Sequence, residues 1–410
     1  MKKFLFTFVA CLLVVAFTAP AMAKVKMGGI IFTDIMWDKR DDTMMKLNTG
    51  SSEQSANTLV RMHDTLASRL YGTWTNEAGV GMHIQLGLGG TVEGGGGQLG
   101  PEGVYLREGY GWYKMNPGFK LLVGMTTSPF APLNSGQLMG FALIGDGRYA
   151  SPHAHAINAG YGNIYVERSA QIRGEWSFGP NNLKVALADY TNDAIFGKTP
   201  VFANAPNKTA IEETMIPRLD VGLKVVAGSW SIYPGVFYLT RSWDGVAAGN
   251  DDSFTSWGAS VGLKGGLGPI TITAELTQMA NGGSAGMTGA NTSAATGGPQ
   301  AAAFIDANGE IQDAETLAGF IQFGFKAGHA KIQLSYGFAK TEQDNWGGIG
   351  VNRENNSTQY GISIPIPLAR TFIVRPEVYF IDEGELKLTG LPAVDLGKET
   401  LYGVNFQIVF

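Results

Sequence analysis

Three short patterns in this chain have spacings that can carry chemistry. His153-x-His155 would set two imidazoles on one side of an extended strand, the beginning of a metal site. The chain has 5 histidines and no third ligand at a suitable spacing, so no metal is expected there. Gly282-Gly283-Ser284-Ala285-Gly286 fits G-x-S-x-G, the sharp turn that raises a nucleophilic serine. It lies in a Gly/Ala/Thr stretch at 280–303 with no strand-to-helix context, and no Ser/His/Asp set is spaced to complete a triad. Gly95-Gly96-Gly97-Gln98-Leu99-Gly100 fits G-x-G-x-x-G, but no helix follows to hold a dinucleotide, so it reads as a flexible loop tip. No Cys-x-x-Cys-His occurs, so the chain attaches no c-type haem itself. Catalytic residues, metals and cofactors are therefore all expected to be absent.

The remaining candidates are charges, and they take their meaning from strands. Alternation of apolar and polar residues predicts sixteen strands near 25–37, 64–76, 79–91, 102–115, 118–127, 163–178, 182–191, 215–227, 229–243, 253–265, 268–279, 315–327, 329–341, 357–367, 370–382 and 400–410. Val80, Met82, Ile84, Leu86 and Leu88 share one face, and Gly81, His83, Gln85 and Gly87 the other. Ile270, Ile272, Ala274 and Leu276 oppose Thr271, Thr273, Glu275 and Thr277 in the same way. Connections alternate short and long. Asn76-Glu77-Ala78-Gly79, Gly179-Pro180-Asn181-Asn182 and Gly228 are typical short ones, rich in the residues tight turns need. Long ones fall near 38–63, 92–101, 128–162, 192–214, 244–252, 280–314, 342–356 and 383–399. The polar faces carry Arg107, Lys120, Glu167, Arg173, Arg218, Asp220, Lys224, Arg375 and Glu377. Loop 128–162 adds Asp146, Arg148, His153 and His155. Basic residues outnumber acidic ones on the polar faces, although the whole chain is acidic.

The chain opens as a secretory signal peptide does. Lys2 and Lys3 precede an apolar run from Phe4 to Ala19, and Ala21-Met22-Ala23 is a small-x-small cleavage site. Segment 1–23 is set aside on that reading, and 24–410 is the folded unit. Without Lys2 and Lys3 the net charge moves from −5 to −7. The only cysteine, Cys11, falls in the leader, so no disulfide braces the fold. There is no basic run of the kind that binds nucleic acid. Mean hydropathy is +0.02 and no later stretch is long enough for a membrane helix. Strands of about ten residues with near-zero hydropathy are what a transmembrane barrel shows, because its two faces cancel. Trp74, Trp176 and Trp230 fall near one end of their strands and Trp37, Trp243 and Trp257 near the other, where interfacial girdles belong.

The ending Tyr402-Gly403-Val404-Asn405-Phe406-Gln407-Ile408-Val409-Phe410 alternates to the last residue and finishes on an aromatic carboxyl terminus. This resembles the closing strand of bacterial outer-membrane β-barrels, and the whole of 24–410 resembles the porins among them. The resemblance implies an all-β antiparallel barrel of about sixteen strands in the outer membrane, with short periplasmic turns and long extracellular loops. It implies that Phe410 is part of the signal read by the barrel assembly machinery. Loop 128–162 resembles the third porin loop, which folds inward and narrows the pore; the alternative is that it packs over the rim or at a trimer interface. Passive diffusion of small hydrophilic solutes and ions follows, with a mild anion preference on the charge count and no catalysis. Contact with lipid and lipopolysaccharide and a homotrimeric assembly are also implied. Two other readings compete: a barrel that sheathes a partner protein, and an outer-membrane hydrolase.

Overall fold

The computed structural model describes residues 24–43, 57–64, 68–88, 104–136, 162, 164–166, 168–189, 211–213, 216–244, 251–288, 303–305, 310–346 and 351–410. The expected leader 1–23 lies outside them.

One antiparallel sheet closes on itself as sixteen staves. In chain order these are β1 (Lys24–Arg40), β2 (Asn57–Asp64 and Arg69–Thr75), β3 (Val80–Leu88), β4 (Val104–Asn116), β5 (Phe119–Thr126), β6 (Ser169–Phe178), β7 (Asn181–Ala188) and β8 (Ile211–Glu212 and Arg218–Ala227). The second half comprises β9 (Trp230–Asp244), β10 (Ser253–Leu267), β11 (Ile270–Ala280), β12 (Ala314–Ala327), β13 (Ala330–Trp346), β14 (Val351–Ser363 and Ile366–Ala369), β15 (Phe372–Leu388) and β16 (Val394–Asp395 and Lys398–Val409). Each stave pairs with the next. The seam is β1 against β16, in register from Ile30–Val409 to Arg40–Glu399. Gly29 and Phe410 extend the seam, exchanging backbone hydrogen bonds at 2.8 and 3.1 Å.

Two-residue turns join most of the staves at one end, and the four residues 76–79 join β2 to β3. Gly179-Pro180 and Gly268-Pro269 place glycine at φ 63° and 59° ahead of a proline. That positive φ at the first central position matches the right-handed twist of the flanking strands. Where β2 is broken, Ser68 keeps the ladder satisfied. Its hydroxyl accepts from the Phe32 amide at 2.9 Å and donates to the Phe32 carbonyl at 3.2 Å.

The outer surface is apolar because every second residue points into lipid. Leu276 is 46% exposed while its inward neighbours Glu275 and Thr277 are 3% and 1% exposed. Tyr402 and Ile408 face out on β16, and Asn405 is buried inside. The apolar band ends toward the long loops, where the outer face turns charged. Lys340 and Lys387 both reach Glu354 there, at 3.3 and 3.1 Å.

Three expectations need correction. The connection expected at 342–356 is mostly strand, since β13 runs to Trp346 and β14 starts at Val351. Beyond the apolar band both faces of a strand are polar, so alternation no longer marks it. Trp243 is not a girdle residue. It faces inward, buried, stacked on Phe254 at 5.6 Å with Arg241 over its ring at 5.1 Å. The alternation in β4 also breaks at a bulge: Gln85 pairs with Glu108 and Leu86 with Leu106, leaving Arg107 as the extra residue. Beyond it the even-numbered residues turn inward, so Glu108, Tyr110 and Trp112 join the lumen wall.

Candidate functional site

The lumen is occupied by chain that leaves the ends of two staves. After β5, Ser128–Gly136 turns in and follows the inner wall from β8 round to β15. The Ser128 hydroxyl donates to Asp220 at 2.6 Å. Pro129 lies on Gly222, where any side chain would strike the loop backbone. Phe130 meets Phe237 edge-on, with ring centroids 4.9 Å apart. The Leu133 amide donates to Glu275 at 3.2 Å, and the Ser135 carbonyl accepts from Gln322. Arg375 donates to the Gly136 carbonyl at 3.1 Å. Gly222 and Ala318 on the wall are small, which gives the loop room to sit against the strands.

The same connection returns through Gly162 and Tyr165–Val166, and there it meets a second inward segment. Following β11, Asn281 caps a single 3-10 turn at Gly282–Ala285, which leads into Met287–Thr288. Met287 pairs with Val166 and Thr288 with Tyr165 in an antiparallel ribbon. Phe130, Ile164, Val166, Ala285 and Met287 form one apolar cluster with the wall residues Phe237, Leu239 and Met279. The G-x-S-x-G pattern is thus a packing turn. Ser284 accepts a hydrogen bond from the Ala303 amide at 3.1 Å.

Arg218 ties the two segments together. Its guanidinium grips Asp220 with two bonds of 2.7 and 2.8 Å and donates to the Ala285 carbonyl at 2.5 Å. Asp220 in turn holds Ser128. Arg218 and Asp220 are 1% and 0% exposed, so both face inward as expected but are covered by the loops. Their charges hold structure and do not meet solvent. Arg173 is similar. It donates to the Thr127 carbonyl at 3.0 Å and pairs with Glu175 at 2.8 Å. Glu377 is buried and accepts from the Tyr379 hydroxyl at 3.1 Å.

Below this plug, toward the short turns, the inner wall is basic. Lys120 pairs with Glu175 at 2.6 Å and remains about a third exposed. Lys184 and Lys224 stand on adjacent staves in register with Glu175 and Asn182. Lys264, Lys331 and Arg375 form a second basic group on β10, β13 and β15. Glu175 is the one carboxylate paired with this wall's lysines among the described residues. Arg107 sits at the β4 bulge near Arg69 and Arg168, and Arg168 pairs with Glu108 at 3.1 Å. Sequence reasoning missed Arg69, Glu108 and Arg168: the bulge that turns Glu108 inward has no signature in a single sequence, and the other two lie at strand ends. The second inward segment was missed too; its only trace is Ala285 and Met287 among glycines. Asp146, Arg148, His153, His155 and Glu167 lie outside the described residues. No cluster of metal-ligating side chains is present among the described residues.

No family model and no curated protein matches the chain. Solved structures do. The outer membrane channel DcaP of Acinetobacter baumannii superposes with a TM-score of 0.62 at 15% identity, covering 96% of this chain and 99% of that one. An anion-selective porin from Comamonas acidovorans gives 0.56 at 14% identity, over 95% and 100%. The trimer form of Vibrio cholerae OmpT gives 0.53 at 13% identity, over 95% and 99%. At these identities the likeness is one of fold, and it extends over nearly the whole of 24–410. The closed sheet with its outward apolar band thus has the β-barrel fold of bacterial outer-membrane porins.

Proposed function

We propose that the chain is a diffusion channel for small hydrophilic solutes that prefers anions. The observation that carries this reading is the basic wall below the loops, formed by Lys120, Lys184 and Lys224 as one group and Lys264, Lys331 and Arg375 as another. A ring of one sign favours the opposite ion. The inward segments act as the constriction, and whatever passes them meets that wall. Two structural neighbours, one named a channel and the other an anion-selective porin, accord with it. A homotrimer fits the trimer form of a third. The apolar exterior is suited to lipid and lipopolysaccharide, with Phe410 serving barrel assembly.

The test is single-channel recording of the purified protein in a planar bilayer under a KCl gradient. Stable steps with a reversal potential of the chloride sign are expected. Replacing Lys120, Lys184 and Lys224 together by glutamine moves that potential toward zero. A potassium preference in the unaltered protein refutes the anion reading. Absence of any current in folded protein favours a barrel that sheathes a partner.

A further inference from the structure

The inner wall on β2 to β4 differs from the rest. The described limbs of the loops pack against β8 to β15, and this sector carries a column of aromatic rings instead. Tyr71 and His83 lie 6.4 Å apart at an interplanar angle of 25°. His83 and Tyr110 follow at 5.2 Å, and Tyr110 and Trp112 at 5.9 Å. All four rings face the lumen and are partly exposed. The imidazole is held by the Thr73 hydroxyl at 2.8 Å. Glycines set the tilt of the end members. The Trp112 indole lies over Gly81, its cross-strand partner, and Tyr71 lies over Gly28. A ring laid flat on a glycine presents its other face to whatever passes.

A basic patch adjoins the column directly. Lys120 on β5 is inward next to Leu122, the cross-strand partner of Trp112. Lys120, Arg173 and Lys184 surround Glu175, the one carboxylate paired with them among the described residues, at 2.6 Å for Lys120 and 2.8 Å for Arg173, while Glu108 nearer the column is paired with Arg168. Cation surplus therefore stands one stave from the aromatic faces. Flat apolar faces stack with other rings in offset arrangements, and an ammonium or guanidinium beside them takes a carboxylate. A neutral sugar would use the faces and leave the cations idle, and a simple inorganic anion would do the reverse.

We propose that β2 to β7 form a binding track for small ring-bearing carboxylates, with the ring on Tyr110 and Trp112 and the carboxylate at Lys120 and Lys184. This rests on the anion-channel reading and adds a ligand class to it. The probe is benzoate, added to the purified protein in a planar bilayer in KCl, with acetate and glucose as comparisons. Benzoate should interrupt the chloride current at concentrations where acetate and glucose do not. Tyr110→Ala with Trp112→Ala should raise the half-blocking benzoate concentration about tenfold, the equivalent of about 1.4 kcal/mol. Tyr110→Phe should retain the block. Gly81→Val, which lifts the indole off the wall without removing it, should weaken the block as well. The KCl reversal potential should stay unchanged in all three variants. Benzoate behaving like acetate, or block surviving the double substitution, overturns the track. Block by glucose in place of benzoate overturns it in favour of a sugar-binding wall. A cation-selective potential overturns the anion reading instead, and it is read in the same recording before any probe is added.

Discussion

Arg218 makes every one of its described bonds inside the protein, and this sets what its loss would do. Truncation to alanine leaves Asp220 buried with only Ser128 as donor and frees the Ala285 carbonyl. Breaking a buried pair from one side costs about 3–5 kcal/mol. The cost falls on the loops, because the strand that carries Arg218 is fixed by both neighbours. Arg218→Ala is therefore expected to leave the barrel folded, release the inward segments and raise single-channel conductance. Limited proteolysis should cut the loops faster. Arg218→Met with Asp220→Leu should recover much of the loop order, since a matched apolar pair tolerates burial. Unchanged conductance and proteolysis in the single variant would show that the clamp carries no load. Alternation told which face Arg218, Asp220 and Arg173 would occupy. It could not tell that they would be covered, because what fills a lumen is decided by loops far away in sequence.

At the scale of elements, the two inward segments behave as one body. Their joint is the ribbon of Val166 with Met287 and Tyr165 with Thr288. Residues 24–410 contain no cysteine, so a pair introduced there reports cleanly. Directly opposed positions on antiparallel strands bring Cα atoms to about 4.5–5.5 Å, a separation a disulfide can span. Val166→Cys with Met287→Cys should cross-link under mild oxidation and leave the conductance unaltered, because the ribbon is already formed. Failure to cross-link would mean the segments part in the membrane. A current changed by oxidation would mean that their separation is part of opening. Four-residue ribbons of this kind lack a readable period, which is why the 280–314 connection appeared as plain loop. The staves themselves were legible wherever one face met lipid. They became illegible at the bulge in β4 and in the polar extensions of β13 and β14, where that contrast is lost.

For the whole molecule, two solvents meet one sheet. Leu276 faces lipid and Thr273, three residues earlier on β11, faces the lumen. Leu276→Arg should destabilise the barrel by about 2–4 kcal/mol, the cost of a cation near the membrane midplane. Thr273→Arg should cost far less and act on the current instead. Denaturant unfolding in lipid vesicles separates the two, and equal effects would contradict the assigned faces. This global arrangement was the most readable level in the sequence. It needs only an even number of strands and a consistent side for the turns, and both survive errors at single residues.

The seam between β1 and β16 also has a meaning in time. Ile30 cannot find Val409 until almost the entire chain exists, and the contact spans nearly the full sequence. Long-range closure of this kind is slow. Until then β1 has an open edge of unpaired amides and carbonyls, the type of edge that recruits strands from other molecules. The first stave to be synthesised is thus among the last to have both of its edges paired. The topology therefore leaves that edge of the first stave open through the whole interval in which the other staves are laid down.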